Sequence, residues 1–264
     1  MMKFSIITIN YNNCLGLQKT IQSVVNQSFD DFQYIIIDGD SNDGSKALLN
    51  SLKLLNGNIL SEKDGGIYDA MNKGLDLIKG EFVIFLNSGD SFASNDVLEK
   101  IYNLVKESKN VIDFIYGDAY EYNPINNKMF FKKARNDSKI WYGMFAHHQS
   151  MVYSKRVIDN TKLRYDLIYK LSSDWDFTIR FLKNCSNKIK VDFPISVFEQ
   201  GGFSDNFMIG ISEQYKIRRK ALGFSIFNCL ILYSLHTFLN FSRKSAPFLY
   251  HNIRLKEVDR LQIF

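Results

Sequence analysis

The chain carries, at residues 32–45, the stretch FQYIIIDGDSNDGS, in which a continuous apolar run meets a polar turn with two glycines. Continuous apolar runs are typical of strands that are covered by helices on both faces, as in parallel sheets. The same arrangement occurs at residues 4–13, FSIITINYNN, and at residues 82–90, FVIFLNSGD. These stretches predict an α/β fold built on a mostly parallel sheet.

Helical and strand patterns extend this prediction along the chain. Strands are predicted at residues 4–9, 32–37, 58–60, 82–86 and 112–116. Between them, apolar residues at three-and-four spacing predict helices near residues 17–25 and, behind a Ser94 cap, near residues 97–105. After Gly117 the elements become shorter, with a hairpin predicted at 120–132, a strand at 148–153 and a helix at 174–183.

Bulk properties favour a globular, reduced protein. The chain has 264 residues, of which 45% are hydrophobic, enough for one large domain and an appendage. The apolar run after Lys3 is too short for a signal peptide, so we expect a cytoplasmic location. Cys14, Cys185 and Cys229 lie far apart, which matches neither a disulfide framework nor a zinc site.

The positive charge is concentrated at the end of the chain. Residues 212–264 contain nine Lys and Arg against three Asp and Glu, a net +6, whereas the whole chain carries +5. The preceding part is therefore close to neutral, which argues against a nucleic-acid-binding face on residues 1–211. The basic segment favours an anionic partner such as a membrane surface.

Polar clusters follow four of the predicted strands. Ligands of open parallel sheets bind at the carboxyl ends of the strands, so these clusters are candidates for one binding crevice. They lie at residues 8–13, 38–45, 61–69 and 87–90. No Gly-x-Gly-x-x-Gly follows the first strand and no Gly-x-x-x-x-Gly-Lys-Ser/Thr occurs, which excludes the usual dehydrogenase and P-loop interpretations.

Three of these blocks carry a family resemblance. In order, IIDGDSNDGS at 36–45, SEKDGGIYDAMNKG at 61–74 and FLNSGD at 85–90 resemble the family-2 glycosyltransferases with the GT-A fold. The middle block is most similar to bacterial members that build colanic acid, O-antigen and capsular polysaccharides. The resemblance covers residues 1–205 and implies a donor-nucleotide half at 1–118, an acceptor half at 119–205 and a separate helical tail at 206–264.

The resemblance implies a nucleotide diphosphate sugar, most typically a UDP-sugar, as donor. Asp38 would contact the base, Asn10 and Asp64 would line the nucleotide pocket, and Asn72 would lie near the donor sugar or the diphosphate. The remaining donor-binding candidates are Thr8, Asn12, Gly65, Asn87 and Ser88.

By the same resemblance, Asp90 stands for the last residue of the family's Asp-x-Asp motif and would hold Mn²⁺ or Mg²⁺. A hard oxygen ligand of this kind helps a metal to neutralise the departing diphosphate. Two positions depart from the family pattern: Asn87 replaces the first Asp of the motif, and Asp40 stands where Gly is usual. A helix-capping role is the structural alternative for Asp90.

The acceptor side of the reaction needs a base. The segment LSSDWDF at 171–177 resembles the family's Glu/Ala-Asp-Tyr-Asp segment, whose first Asp is the general base, so Asp174 is the candidate and helix capping its structural alternative. Asp176 is the weaker candidate. His148 is a candidate acceptor-site or metal-proximal group, and residues 201–204, GGFS, resemble the flexible segment that closes over the donor. The resemblance implies single displacement with inversion.

The tail predicts a helix at a membrane surface. Residues 221–242 contain no charged side chain and are flanked by basic residues on both sides. Polar residues at helical spacing favour a helix lying in the interface over one that spans the bilayer. A lipid-linked saccharide acceptor would suit this location on the inner face of the cell membrane. Packing against the catalytic domain, or against a second subunit in a homodimer, is the alternative.

Two other classes of protein remain as alternatives at this stage. A sugar-nucleotide pyrophosphorylase is also a nucleotide-binding α/β enzyme, but it should carry a glycine-rich, basic phosphate loop after the first strand, where this chain has residues 10–13, NYNN. A non-catalytic nucleotide-sugar-binding scaffold would keep the fold and bind donor without turnover.

Overall fold

The computed structural model describes residues 2–52, 56–201, 207–245 and 256–258. The strands are β1 Phe4–Asn10, β2 Phe32–Asp38, β3 Gly57–Ser61, β4 Phe82–Phe85, β5 Ser91–Phe92, β6 Phe114–Asn123, β7 Lys128–Lys132, β8 Met151–Ser154, β9 Lys188–Glu199 and β10 Lys256–Val258. The helices are α1 Cys14–Val25, α2 Ser45–Ser51, α3 Ile67–Asp76, α4 Val97–Glu107, α5 Lys155–Thr161, α6 Ser173–Leu182, α7 Phe207–Lys220 and α8 Ile226–Ser245.

The strands form one mixed sheet with the order β10-β7-β6-β8-β4-β1-β2-β3. β3, β2, β1 and β4 are parallel neighbours, whereas β8 pairs antiparallel with both β4 and β6. β9 runs parallel to β6 and also pairs with the short β5. In the register of β1 and β2, Asn10 lies opposite Asp38, so the carboxyl ends of the parallel strands meet at one edge of the sheet.

Two apolar cores cover the two faces of this sheet, which explains the continuous apolar runs of its central strands. On one face, Ile7 and Ile37 pack with α3 and α6. On the other face, Ile6 and Ile36 pack with α1 and α4. All seven residues of β1 are buried. The predicted α/β architecture with helices on both faces is confirmed.

Three local predictions differ from the structure. The strand predicted at 112–116 begins at Phe114 and continues to Asn123. The helix predicted near residues 97–105 begins at Val97, but its cap position is Asp96 and not Ser94, whose Oγ donates to the Asp96 carboxylate at 2.5 Å. The strand predicted at 148–153 is wrong in its first half, since residues 148–150 form a 3₁₀ turn closed by Ser150 N donating to His147 O.

The tail forms two helices. α7 packs on the catalytic region through Ile217, which lies with Tyr169, Trp175 and Ile179 in a third apolar cluster. The neighbouring Arg218 is 2% exposed and donates to the backbone carbonyls of Trp141 and Tyr142. This part of the tail is therefore continuous with the packing around the first turn of α6.

α8 buries only one side of its described part. Cys229 and Leu232 are buried, and the polar His236 on the same side contacts Gln214 Oε1 through Nδ1 at 3.1 Å. The opposite side carries exposed apolar side chains at Ile226, Phe227, Leu230, Ile231 and Leu235. Within the described residues, no helix has both the length and the apolar character needed to cross a bilayer.

Candidate active site

Asp38 is the centre of a hydrogen-bond network at the carboxyl end of β2. Asn10 Nδ2 and Ser41 Oγ donate to Asp38 Oδ1 at 2.7 and 2.6 Å, and Ser41 N and Ser61 Oγ donate to Oδ2 at 3.0 and 2.7 Å. Burial raises the pKa of Asp38, but these hydrogen bonds outweigh it and lower the pKa below its usual value. Asp38 is thus an ionised group that ties the turns after β1, β2 and β3 together.

The side chain of Asp38 is 0% exposed. Its two oxygens accept four donors, which matches the lone pairs that a carboxylate offers. A ligand group that reaches Asp38 must therefore replace a hydroxyl, and the hydroxyls of Ser41 and Ser61 are the donors that can rotate away.

Three donor-binding candidates, Thr8, Asn10 and Asn12, lie in β1 or in the turn that follows it. Thr8 is fully buried, and its hydroxyl donates to the Leu86 carbonyl at 2.7 Å. Asn10 links two strand ends, because its Oδ1 accepts from Ser88 Oγ at 2.7 Å while its Nδ2 binds Asp38. Asn12 has a positive φ of 48° and accepts from Asn42 N at 2.9 Å. These side chains shape the turns that surround the site.

Tyr11 is a further candidate for the site, although within the polar cluster at residues 8–13 it was not singled out from the sequence. Its side chain is 68% exposed although it directly follows the buried β1. A Cβ atom on Gly39 would lie 3.2 Å from Tyr11 Cδ2 and 2.6 Å from Asp64 Oδ2, so Gly39 allows the aromatic ring and the Asp64 carboxylate to flank the same turn. An exposed aromatic inside a polar turn after a buried strand was the available signal.

Asp64 and Gly65 lie at the start of α3. Asp64 Oδ1 accepts from Gly66 N, and Gly65 N donates to Asp69 Oδ2, both at 2.9 Å. Gly66 has a φ of 114°, a backbone conformation that glycine adopts without strain. The turn therefore presents the amino end of α3, with its positive dipole end, at the same edge of the sheet as Asp38.

Asn72 has a different environment from the one expected of a donor ligand. Both ends of its amide bind the backbone of Tyr165, with Nδ2 donating to the carbonyl at 3.0 Å and Oδ1 accepting from the N–H at 2.8 Å. In this structure, Asn72 positions the loop that leads to α6.

Asp90 is held by residues from two distant parts of the chain. It is 4% exposed, and it accepts from Gln149 Nε2 at 2.8 Å and from Glu199 N at 3.1 Å. Burial raises the pKa of Asp90 to about 7, and the hydrogen bonds only partly offset this rise. Lys19 lowers this pKa and Glu199 raises it, but burial is the largest cause.

The residues next to Asp90 fit a hard divalent cation. Asn87 Oδ1 is buried and has no hydrogen-bond partner within the part of the chain that the structure describes. The Thr20 hydroxyl lies 3.2 Å from the Asn87 carbonyl and 2.6 Å from the Asp90 carbonyl, which keeps the two residues together. No cluster of three or more His, Cys, Asp or Glu suited to a metal occurs among the described residues. Any cation here would need ligands from substrate or water as well.

Asp174 lies in the first turn of α6. The Tyr68 hydroxyl donates to Asp174 Oδ1 at 3.2 Å, and burial raises the pKa of this half-buried carboxyl to about 6. Asp176 differs, because it is buried and forms an ion pair with Arg180 at 2.7 Å. Of the two carboxylates in this turn, Asp174 is the one with the properties of a base.

The segment 147–149 contributes to the site differently from what its sequence indicated. His148 is buried against Phe85, its Nε2 lies 2.9 Å from the Tyr165 hydroxyl, and burial lowers its pKa to about 3. It is therefore a neutral core residue. His147 binds Glu121 at 2.9 Å instead. The residue of this segment that reaches a candidate carboxylate is Gln149, which we did not predict.

A continuous set of contacts joins the two candidate carboxylates. Tyr68, bonded to Asp174, stacks on Tyr165 with ring centroids 5.5 Å apart. Tyr165 binds His148, and the next residue, Gln149, binds Asp90. Of the predicted closing segment, residues 202–204 lie outside the described residues, whereas Gly201 is described and has a φ of 106°.

Comparisons with known proteins place this fold and site in a class. The sequence profile of Glycosyl transferase family 2 matches residues 5–161. The chain is 30% identical over 194 residues to a PGL/p-HBAD biosynthesis glycosyltransferase of Mycobacterium tuberculosis, covering 69% of this chain and 70% of the relative. It is 34% identical over 221 residues to the poly(ribitol-phosphate) beta-N-acetylglucosaminyltransferase TarP of Staphylococcus aureus, covering 79% and 66%.

Solved structures show the same architecture. TarS 1–349 of S. aureus, solved in complex with UDP-GlcNAc, superimposes with a TM-score of 0.68 at 18% identity, covering 93% of this chain and 75% of that one. The mannosyltransferase PcManGT of Pyrobaculum calidifontis, solved with GDP-Man and Mn²⁺, gives a TM-score of 0.62 at 12% identity, covering 84% and 65%. The fold is that of a GT-A glycosyltransferase. The chain belongs to glycosyl transferase family 2.

Proposed function

We propose that the chain is an inverting glycosyltransferase that moves a sugar from a nucleotide diphosphate sugar to a hydroxyl of a saccharide acceptor. The proposal is carried by the membership of glycosyl transferase family 2 together with one connected set of contacts that joins Asp90 to Asp174, two carboxyls whose pKa values burial raises. Such perturbed carboxyls are typical of sites that handle charge and protons during a reaction.

The donor nucleotide binds at the edge formed by the turns after β1, β2 and β3. The exposed ring of Tyr11 offers a face for the base, and Asp38 with Ser41 and Ser61 offers groups for the base edge. UDP is the first choice, because TarP is named an N-acetylglucosaminyltransferase and TarS was solved with UDP-GlcNAc. The sugar would then be a hexose or an N-acetylhexosamine.

Asp90, together with Asn87 Oδ1, holds Mn²⁺ or Mg²⁺ in this proposal. When bound, the cation neutralises the negative charge that the diphosphate gains as it leaves. The buried Asp90 carboxylate supplies one hard oxygen ligand, and Gln149 keeps that carboxylate oriented.

Asp174 acts as the general base. The acceptor oxygen attacks the anomeric carbon, the bond from that carbon to the phosphate oxygen breaks, and the diphosphate leaves with the bonding electrons. The acceptor proton passes to Asp174. Its pKa of about 6 is still below neutral pH, so the group is mostly ionised there, and it is a stronger base than an ordinary carboxylate. A single displacement from the face opposite the leaving group inverts the anomeric configuration.

In this proposal the acceptor is a saccharide carried on a lipid. The reaction is a step in the synthesis of a surface polysaccharide, as in colanic acid, O-antigen or capsule assembly. The exposed apolar side of α8, from Ile226 to Leu235, then lies on the inner face of the cell membrane. The alternative is that this side of α8 contacts a second copy of the chain in a homodimer. In this proposal, residues 1–118 bind the donor, residues 119–205 bind the acceptor and residues 206–264 form the tail.

A donor panel with product analysis tests the proposal. Purified full-length chain is incubated with UDP-, GDP- and dTDP-sugars, Mn²⁺ or Mg²⁺ and lipid-linked saccharide, and nucleotide release and product anomer are measured. We expect the native chain to give a product with inverted anomeric configuration, and we expect this product to be lost with Asp174→Asn. Donor binding without release would favour a scaffold, and pyrophosphate-dependent nucleotide exchange would favour a pyrophosphorylase.

A further inference from the structure

α7, which lies outside the family match at residues 5–161, reaches the loop that carries the candidate base. The Glu213 side chain projects from the middle of this helix and is 5% exposed. Its two carboxylate oxygens accept from Lys170 N at 2.6 Å and from Leu171 N at 3.0 Å. These two N–H groups lie immediately before the helix that presents Asp174.

Side chains from both α7 and the end of α6 hold the two helices together. Next along α7, Ile217 packs on Trp175 and Ile179 of α6, and the Arg218 guanidinium lies 5.0 Å above the Trp175 ring. Lys183, near the end of α6, donates to the Ala221 carbonyl. α7 is thus held against α6, and a buried carboxylate with two N–H partners cannot leave its place without losing both hydrogen bonds.

Glu213 also places a negative charge near Asp174. The groups that face Asp174 from other described elements are Tyr68 of α3, Tyr153 of β8, Tyr165 of the preceding loop and Glu213. Burial raises the pKa of each of these tyrosines, so they stay neutral near pH 7. On its own helix, Asp176 is paired with Arg180. Among these neighbours, Glu213 raises the pKa of Asp174 by its charge, and burial is the larger cause of the rise.

We infer that Glu213 is a positioning residue for the transfer reaction, which holds the 170–171 loop so that Asp174 faces the acceptor and keeps that carboxylate strongly basic. This inference rests on the proposed role of Asp174 as base. It makes α7 a working part of the acceptor site, in contrast to the membrane role proposed for α8.

The test compares three variants in the full chain by their pH profiles of kcat/KM. Glu213→Gln removes the charge, and we expect the acid limb to move to lower pH, with a lower kcat and an unchanged KM for donor. Glu213→Asp keeps the charge but shortens the reach, so kcat should fall while the limb stays at its native position. Glu99→Gln, an exposed carboxylate on α4 that accepts from Ser28, is the matched control and should match the native profile.

A native acid limb in Glu213→Gln overturns the inference, as does a native kcat in Glu213→Asp. If Glu213→Gln does not fold, Glu213→Asp alone decides by its kcat. Asp174→Asn is measured in parallel: full activity of that variant means that Asp174 is not the base and that the proposed mechanism fails. Loss of activity in Asp174→Asn with native behaviour in both Glu213 variants refutes the positioning role alone.

Discussion

Gln149 Nε2 donates to Asp90 Oδ2 at 2.8 Å, so a residue of the 3₁₀ turn that precedes β8 orients a carboxylate in the turn after β4. Both groups are buried, and the bond joins residues of the two segments, 1–118 and 119–205, that we propose bind donor and acceptor. Because β8 pairs antiparallel with β4, the two residues meet although 59 positions separate them.

Replacing Gln149 should weaken the metal site. In Gln149→Ala the Asp90 carboxylate loses one of its two donors, and we expect the concentration of Mn²⁺ needed for half-maximal transfer to rise by about 10-fold to 100-fold. Metal titration of nucleotide release measures this. Gln27→Ala removes another partly buried amide, bound to Ser94 and Leu98, and should lower stability without changing the metal requirement. An unchanged metal requirement in Gln149→Ala would contradict the assignment of Asp90.

The pH profile should show the ionisation of Asp174. The base must be deprotonated to accept a proton, so kcat/KM should fall about tenfold for each pH unit below about 6, the pKa that burial gives to this carboxyl. Asp174→Asn should lower kcat by about 10²-fold to 10⁴-fold and remove this limb. Stopped assays from pH 5 to 8 at saturating metal give the profile, and a limb that persists in Asp174→Asn argues for another base.

The Asp174 carboxyl should also lower the free energy of unfolding at high pH. Folding raises the pKa of Asp174 from its usual 3.8 to about 6, so the contribution of this group is most favourable below pH 4 and is lost as pH rises through 6. Asp174→Asn should therefore melt higher than native protein at pH 8, by roughly 1 kcal/mol or about 2–4 °C. Thermal denaturation at pH 8 and pH 4.5 checks this, and an advantage that is largest at pH 4.5 would refute it.

Tyr11 should contribute to donor binding and little to folding. Its side chain is 68% exposed, and stacking of an aromatic ring on a base is worth about 1–3 kcal/mol. Tyr11→Ala should raise the Kd for UDP by about fivefold or more, whereas Tyr11→Phe should bind as the native protein does. Calorimetric titration with UDP gives both values. Equal affinities for all three proteins would remove Tyr11 from the site.

The apolar side of α8 should bind lipid. Phe227 is 72% exposed, so Phe227→Asp should reduce co-flotation of the protein with anionic vesicles and leave UDP binding unchanged. Ile125→Asp is the matched control, because Ile125 is 95% exposed on the turn between β6 and β7. Native flotation with a shift from dimer to monomer in Phe227→Asp would instead identify the second subunit as the occupant.

Most of the fold could be predicted because its signal is local. The apolar runs at β1, β2 and β4 and the helical spacing of α1 and α4 follow from burial on both faces of one sheet. The 3₁₀ turn at residues 148–150 could not be predicted from the local sequence. Its polar side chains are buried because they bind Asp90 and Tyr165, which lie far away in sequence. The same holds for Asn72, whose amide is taken by the backbone of a distant loop.

The sequence by itself determined the family and the positions of the candidate carboxylates, because strand ends and their polar turns are encoded within short stretches. Only the tertiary structure decided how those carboxylates differ. Asp38 is held ionised by four donors, whereas burial raises the pKa values of Asp90 and Asp174. Burial and hydrogen-bond partners come from residues as far apart as Asp90 and Glu199, and such partners arise only when the strands assemble.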